Sequence, residues 1–280
     1  NTHCHFVTAQ SFNIVLHVTP KEGSSFIMQT AAGLISSTTD WFICSTGIMG
    51  SETTITSVNY NPVFGSPYFC RIRQAMQYGK TLDDYVKIMK KDNAGDYACS
   101  WQFGDIHSGE IMLLELGLRE HSIQRTKNGV FYGMNSAMDF KLRSIETTDT
   151  MHGDIETSCG ARNVRLNQLL NETYYGKINL ENARKILSDH YDSFLHKEIM
   201  NSRGICKHTE LDPNDSAKKA FFPFGCTDGK VTNTNMAKKL SFYGHFGSSC
   251  NRVFQVKKYL KEHPEYEARQ GASRVAPHQA

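Results

Sequence analysis

No apolar run in the sequence reaches the roughly 18–20 residues that a membrane-spanning helix needs. The start, Asn1-Thr2-His3-Cys4-His5, has neither the basic region nor the apolar stretch of a signal peptide. Charge of one sign is also scarce. Lys plus Arg number 31 against 28 Asp plus Glu, a formal surplus of +3, and the basic residues are dispersed apart from Lys90-Lys91 and Lys257-Lys258. That surplus is too small to argue for nucleic acid or an anionic membrane as partner. The eight cysteines contain no CxxC pair, which counts against a zinc site built on paired thiolates. Gly47–Gly50 and Gly244–Gly247 lack the phosphate-cradling patterns. No cofactor and no metal is expected. Nothing repeats and nothing is of low complexity.

What is present is enough for a sizeable core: 280 residues, 39% of them hydrophobic. One domain over 1–268 is expected, followed by a polar tail over 269–280. The triplets Asn171-Glu172-Thr173 and Asn214-Asp215-Ser216 are glycosylation sequons. They fit a secreted or lysosome-like compartment, although such triplets also arise by chance.

The pattern along the chain is strands, helices, strands, helices, strands. Phe12–Val18 and Ser25–Thr30 read as a hairpin across the Lys21–Ser24 turn, and Asp40–Thr46 and Ser51–Thr56 as two more strands. Arg71–Tyr78 reads as a helix. Thr81 and Asp84 form a capping box for the next, whose Leu82, Tyr85, Val86 and Met89 share a face. Tyr97–Phe103, Glu110–Leu116, Ser122–Thr126 and Val130–Met134 return to strands, the last two joined by an Asn128-Gly129 turn. Helices are predicted over Arg162–Leu170 and Leu180–His190, the second capped by Asn179. Asn201 to Thr232 reads as loop, and a short strand and a helix near Val253–Glu262 precede the tail. Blocks of antiparallel strands separated by helical blocks suggest an α+β architecture of two stacked sheets covered by helices.

Several segments, in shared order, carry a family resemblance. Cys44 to Thr56, with Gly47, Gly50 and Glu52-Thr53-Thr54-Ile55, is one. Others are Trp101–Gly117, Ser158-Cys159-Gly160-Ala161-Arg162-Asn163-Val164-Arg165, Asp189–Asp192, Asn201–His208, Lys230-Val231-Thr232 and Gly247–Cys250. Together they resemble the phospholipase B-like and isopenicillin-N acyltransferase group of N-terminal-nucleophile hydrolases, which includes choloylglycine hydrolase-like enzymes. The resemblance implies a four-layer αββα sandwich and an amide hydrolase or acyltransferase that works through a thioester on a cysteine exposed by self-cleavage. The new α-amine, which titrates near neutrality, would be the base. A small-molecule amide or a lipid-like acyl compound is the implied substrate.

At the start, Asn1-Thr2, Phe6, Gln10 and Phe12–Leu16 resemble the second strand of the family's first hairpin. The implied nucleophile therefore lies upstream of Asn1, one strand and one turn away, roughly 15–20 residues by hairpin dimensions. His3 stands where the family usually has Trp. The preceding segment is then an expected partner, and the chain by itself is expected to be inactive. Two alternatives stay open: Cys4 as the nucleophile after loss of Asn1-Thr2-His3, and a non-catalytic relative that binds or supports.

Asn135, in Tyr132-Gly133-Met134-Asn135-Ser136, matches a side-chain amide that donates to the oxyanion of the tetrahedral intermediate; a turn Asn is the plainer reading. Arg162 matches an arginine that orients the nucleophile and polar substrate groups, with Arg165 ranked second. Asn1 belongs to the catalytic end of the family's strand. Glu52, Thr53 and Thr54 read as substrate-pocket wall, with Glu52 and Thr54 on one face and Thr53 on the other. Asp189-His190 and Cys206-x-His208 are ligand-type neighbours. With twelve histidines such adjacency is common, and no further ligands are spaced to complete a metal site.

Overall fold

The structure is a computed structural model that describes residues 1–10, 14–37, 39–60, 63–215 and 217–267. Phe12, Asn13, Ser216 and the tail expected over 269–280 lie outside the described residues.

The chain opens with β1 (Thr2–His5) and a short turn of helix, α1 (Phe6–Ala9). The strands β2 (Ile14–Val18), β3 (Phe26–Thr30), β4 (Trp41–Cys44) and β5 (Ile48–Thr54) follow. Two helices, α2 (Tyr68–Tyr78) and α3 (Leu82–Lys90), lead into β6 (Cys99–Asp105), β7 (Glu110–Leu116) and β8 (His121–Thr126). Then come α4 (Phe140–Glu146), α5 (Ser158–Asn167) with a π-helical continuation (Gln168–Thr173), and α6 (Leu180–Leu187). A small hairpin of β9 (Tyr191–Asp192) and β10 (Lys197–Glu198) precedes β11 (Phe224–Val231), α7 (Thr234–Ala237), β12 (Tyr243–Phe246) and α8 (Val256–Glu262).

β2 to β8 pair in sequence order as one seven-stranded antiparallel sheet, while β1, β11 and β12 form a three-stranded antiparallel sheet in the order β1-β11-β12. Alternation along the strands sorts their side chains. From β3 and β4, Phe26, Met28, Phe42 and Cys44 join Ile72, Met76, Tyr85 and Met89 of α2 and α3 in the main core. Their in-between neighbours Ile27, Trp41 and Ile43 face the other way and pack against Ala237, Leu240 and Phe242, which lie between β11 and β12. Lys230 of β11 reaches across to Gln29 of β3 at 2.7 Å. The second sheet is covered in turn by α6, and the α5–α6 layer is knit by Leu166, Leu169, Leu170 and Ile186. The layers are helix, sheet, sheet, helix: a four-layer αββα sandwich with both sheets antiparallel.

The Thr81–Asp84 capping box and the Asn179 cap are present. Three of the differences from the sequence reading bear on the site. Val130–Met134 is not a strand: Gly133 crosses the face of β5 so closely that a Cβ there would meet Thr53 Oγ1 at 2.2 Å, and Tyr132 is drawn away by a 3.1 Å hydrogen bond to Asn163. β11 lies in the stretch read as loop. α5 starts at Ser158, before Arg162, because Thr157 caps it by accepting from the Gly160 N–H.

Candidate functional site

A cleft of about 530 Å³ lies between the inner face of the large sheet and the layer made by β11, α5 and α6. Its flank is apolar, with Met49, Phe103, Ile111, Leu166, Leu170 and Ile178. Its other end is polar and is built from Asn1, Thr2, Asp40, Glu52, Arg162 and Lys230. Such a division suits a molecule with one apolar and one polar part.

Arg162 is set by the first turn of α5. Gly160 lets that turn press on the preceding loop, since a Cβ there would sit 2.1 Å from the Asp154 carbonyl oxygen. The guanidinium is buried. Its Nε donates to the Ser158 carbonyl at 3.0 Å and its Nη2 to Asn135 Oδ1 at 3.0 Å. Nη1 has no partner among the described residues, and no carboxylate among them pairs with the group. Burial lowers its pKa, yet a guanidinium stays cationic at neutral pH. Two half-buried bases feel it. His3 is pushed well below its ordinary pKa by burial and then by Arg162, so its neutral ring uses Nε2–H to donate to the Ile205 carbonyl at 3.0 Å. Lys207 is lowered to about 8 by the same two causes in the same order.

Asn135 and Arg162 thus meet, though far apart in sequence. Asn135 takes a left-handed conformation (φ 74°), which Asn tolerates better than most residues. Its loop is pinned by Glu115 of β7, whose carboxylate accepts the N–H groups of Met138 and Asp139. The Asn135 Nδ2, which the family resemblance casts as an oxyanion donor, donates here to the Thr54 carbonyl at 3.1 Å, and Asn135 is not part of the cleft wall. In this structure its side chain positions Arg162.

β1 forms the polar end. The Thr2 N–H donates to Asp228 Oδ1 at 3.0 Å, and Asp228 pairs with Lys230 at 2.9 Å, both side chains being buried. The Asn1 side-chain amide is spent on the carbonyls of Leu187 and Ile205, each at 3.0 Å, tying β1 to the end of α6 and to the loop after β10. β1 is an edge strand: β11 is its partner among the described strands.

Asp40 and Glu52 form an acidic pair on the large-sheet side. Burial raises Asp40 to about 6; burial and then the charge of Asp40 raise Glu52 well above the usual carboxylate range. Glu52 also accepts from the Tyr97 hydroxyl at 2.6 Å. Two carboxyls so close disfavour double ionisation, so the pair gives up its protons less readily than two separate carboxylates would. A raised carboxyl pKa penalises the fold once the group ionises, so the penalty grows from about pH 4 to about pH 6 and is constant above. Asp40→Asn, which keeps the shape and suits the left-handed φ of 54°, should therefore stabilise the protein by roughly 1–3 kcal/mol at pH 7.5 and by almost nothing near pH 3. Urea unfolding at the two pH values checks this; a gain that is equal at both would show that ionisation is not the cause.

Of the other residues singled out in the sequence, Thr53 lines the cleft, whereas Thr54 and Cys4 do not. Thr54 Oγ1 meets the Tyr97 hydroxyl on the same face as Glu52. Cys4 is half-buried opposite Gly225 in β11, and burial raises its pKa. Arg165 faces away from the cleft and is locked bidentately on Asp189, at 2.9 and 2.6 Å, over the Tyr191 ring. Asp40, Asp228 and Lys230 were not singled out as site residues. The one signal for the last two is their spacing: i and i+2 on a strand share a face, so opposite charges there can pair.

No protein-family model and no curated protein matches the chain. Among the solved structures similar to it in fold are two of conjugated bile acid hydrolase from Clostridium perfringens. One variant covers 91% of this chain and 94% of its own length at 10% identity and a TM-score of 0.46; a second mutant covers 67% of each chain at 14% identity and a TM-score of 0.38.

Proposed function

We propose that the protein acts on amides of an apolar acyl group and an anionic amine, such as N-acyl amino acids, as an N-terminal-nucleophile hydrolase or acyltransferase of the phospholipase B-like kind. The observation that carries the reading is Arg162: a buried cation that has no carboxylate partner and an unengaged Nη1 among the described residues, at the junction of an apolar flank and a polar end. A buried charge left unpaired is costly, and a substrate carboxylate or a developing oxyanion offsets that cost.

The nucleophile is assigned to a cysteine on a strand that precedes Asn1 and adds to the edge of β1 that no described strand covers. This rests on the resemblance of Asn1-Thr2 and Gln10 to the second strand of the family's hairpin and on the edge position of β1. Its thiol passes its proton to the α-amine exposed by self-cleavage, and sulfur bonds to the amide carbon. The C–N bond then breaks as the amine leaves with that proton, and water, or a second amine, takes the acyl group from the thioester. Arg162 holds the negative charge, and Asn135 positions Arg162.

The test uses the protein with the sequence that precedes Asn1. Released glycine is measured from N-decanoylglycine before and after thiol alkylation. The proposal expects turnover that alkylation abolishes. Turnover that survives complete alkylation, or no release from any N-acyl amino acid by folded, self-cleaved protein, would overturn it.

A further inference from the structure

Beneath the Asn1 end of the cleft, four side chains from three separate segments converge. His190 follows α6, Cys206 and His208 sit in the loop after β10, and Cys250 follows β12. One ligand-type atom of each lies within 4.8 Å of all the others. The His208 Nε2 is 3.5 Å from Cys206 Sγ and 3.4 Å from Cys250 Sγ. A tetrahedral zinc ion, with Zn–S near 2.3 Å and Zn–N near 2.0 Å, has sulfur-to-nitrogen edges of about 3.5 Å. We propose that His190, Cys206, His208 and Cys250 form a structural Zn²⁺ site of the closed Cys₂His₂ type.

Two further observations point the same way. The His208 Nδ1 lies 2.8 Å from Glu210 Oε1, so the carboxylate draws the ring proton to Nδ1 and turns the Nε2 lone pair toward the two sulfurs. That carboxylate–histidine pairing is the usual support of a zinc-bound imidazole. The His190 ring lies beside that of His208, tilted by 46° with centroids 5.2 Å apart, and its Nε2 is sealed from solvent without a hydrogen-bond partner among the described residues. A buried nitrogen left so is costly unless something ligates it. Cys226 also comes close to Cys206, but its sulfur is engaged by Ser249 Oγ at 2.9 Å and by the Asp228 carbonyl at 3.3 Å.

The site would clamp the floor of the cleft. Ile205, next to Cys206, receives both Asn1 and His3, and Ser249, next to Cys250, holds the Leu187 carbonyl at 2.8 Å. All four positions are taken by protein, so the ion has no open face for catalysis. The absence of CxxC spacing hid this set, because Cys250 lies 42 residues beyond His208.

The chain is made under reducing conditions with ZnCl₂, dialysed, and analysed for metal. One zinc per chain is expected, with a chelator-dependent fall in melting temperature. CoCl₂ in place of zinc should give the intense visible bands of a tetrahedral thiolate site. Cys250→Ser and His190→Ala should each retain less than about a tenth of the zinc, and Glu210→Gln should bind it roughly 10-fold more weakly. Metal-free wild type with no cobalt bands would overturn the site. So would a Cys206–Cys250 or Cys206–Cys226 disulfide in the native protein, or a folded Cys250→Ser protein that keeps a full zinc. If the variants do not fold, the cobalt spectrum of the unaltered chain decides.

Discussion

Replacing Arg162 with Ala should weaken the binding of N-decanoylglycine about 100-fold and leave the neutral decanamide almost unaffected. Among the described residues Arg162 is a buried cation of the cleft with no acidic partner, whereas Lys230, at the same polar end, is already neutralised by Asp228. A charge-assisted hydrogen bond in a desolvated site contributes about 2–3 kcal/mol, and each 1.4 kcal/mol is tenfold in affinity. Arg162→Lys should recover only part of the loss, because an ammonium lacks the fork that reaches Asn135 and Ser158 together with a ligand. Calorimetric titration of the three proteins with both ligands is the check. Equal weakening for the acid and the amide would mean that Arg162 shapes the cleft without contacting an anion.

The second large effect concerns stability. Asp228→Ala should cost about 3–5 kcal/mol, because it leaves Lys230 buried and unpaired and also removes the acceptor of the Thr2 N–H. Burial alone would raise the Asp228 pKa; Lys230 overrides it, and the carboxyl sits below its ordinary value. A depressed folded pKa means that the contribution is present above the unfolded value near 4 and is lost as the pH falls through the lower folded value. Urea unfolding should therefore show a wild-type advantage that is full at pH 6 and shrinks below pH 4. Hydrogen exchange at Thr2–His5 should speed up in the variant, since β1 loses its anchor. The double variant Asp228→Asn, Lys230→Met separates the two causes: it should regain most of the stability, because no charge is left unpaired.

The parts of the fold legible in the sequence are those where local pattern and burial agree. β3, β4 and β7 are β-rich and apolar because each packs on one layer or two, and α3 and α6 announce their starts with caps that the structure forms. β11 was hidden because Phe224–Val231 contains two glycines and an Asp–Lys pair. The glycines are there for close approach: a Cβ at Gly225 would sit 2.6 Å from the Lys207 carbonyl oxygen. The charges are buried only because they neutralise each other, which hydropathy does not show. Val130–Met134 failed the opposite way. Its Asn-Gly turn and apolar residues look like a hairpin arm, but Gly133 lies across the face of β5 and Tyr132 is bonded to Asn163 of α5. Within the site, the Asn135–Arg162 meeting followed from family resemblance and not from spacing. The acidic pair Asp40–Glu52 had no sequence signal, since its chemistry comes from burial.

The central claim is that the cleft serves a cysteine carried on a strand before Asn1, and intact-protein mass spectrometry with a chloromethyl ketone analogue of an N-acyl amino acid tests it most directly. The preparations are the chain from Asn1 and the same chain with its preceding sequence. The account predicts no active-site adduct on the first. On the second it predicts self-cleavage followed by a single adduct on the newly exposed N-terminal cysteine, with loss of that adduct when this cysteine is changed to Ala. An adduct on Cys4 of the chain from Asn1, accompanied by turnover, would contradict it.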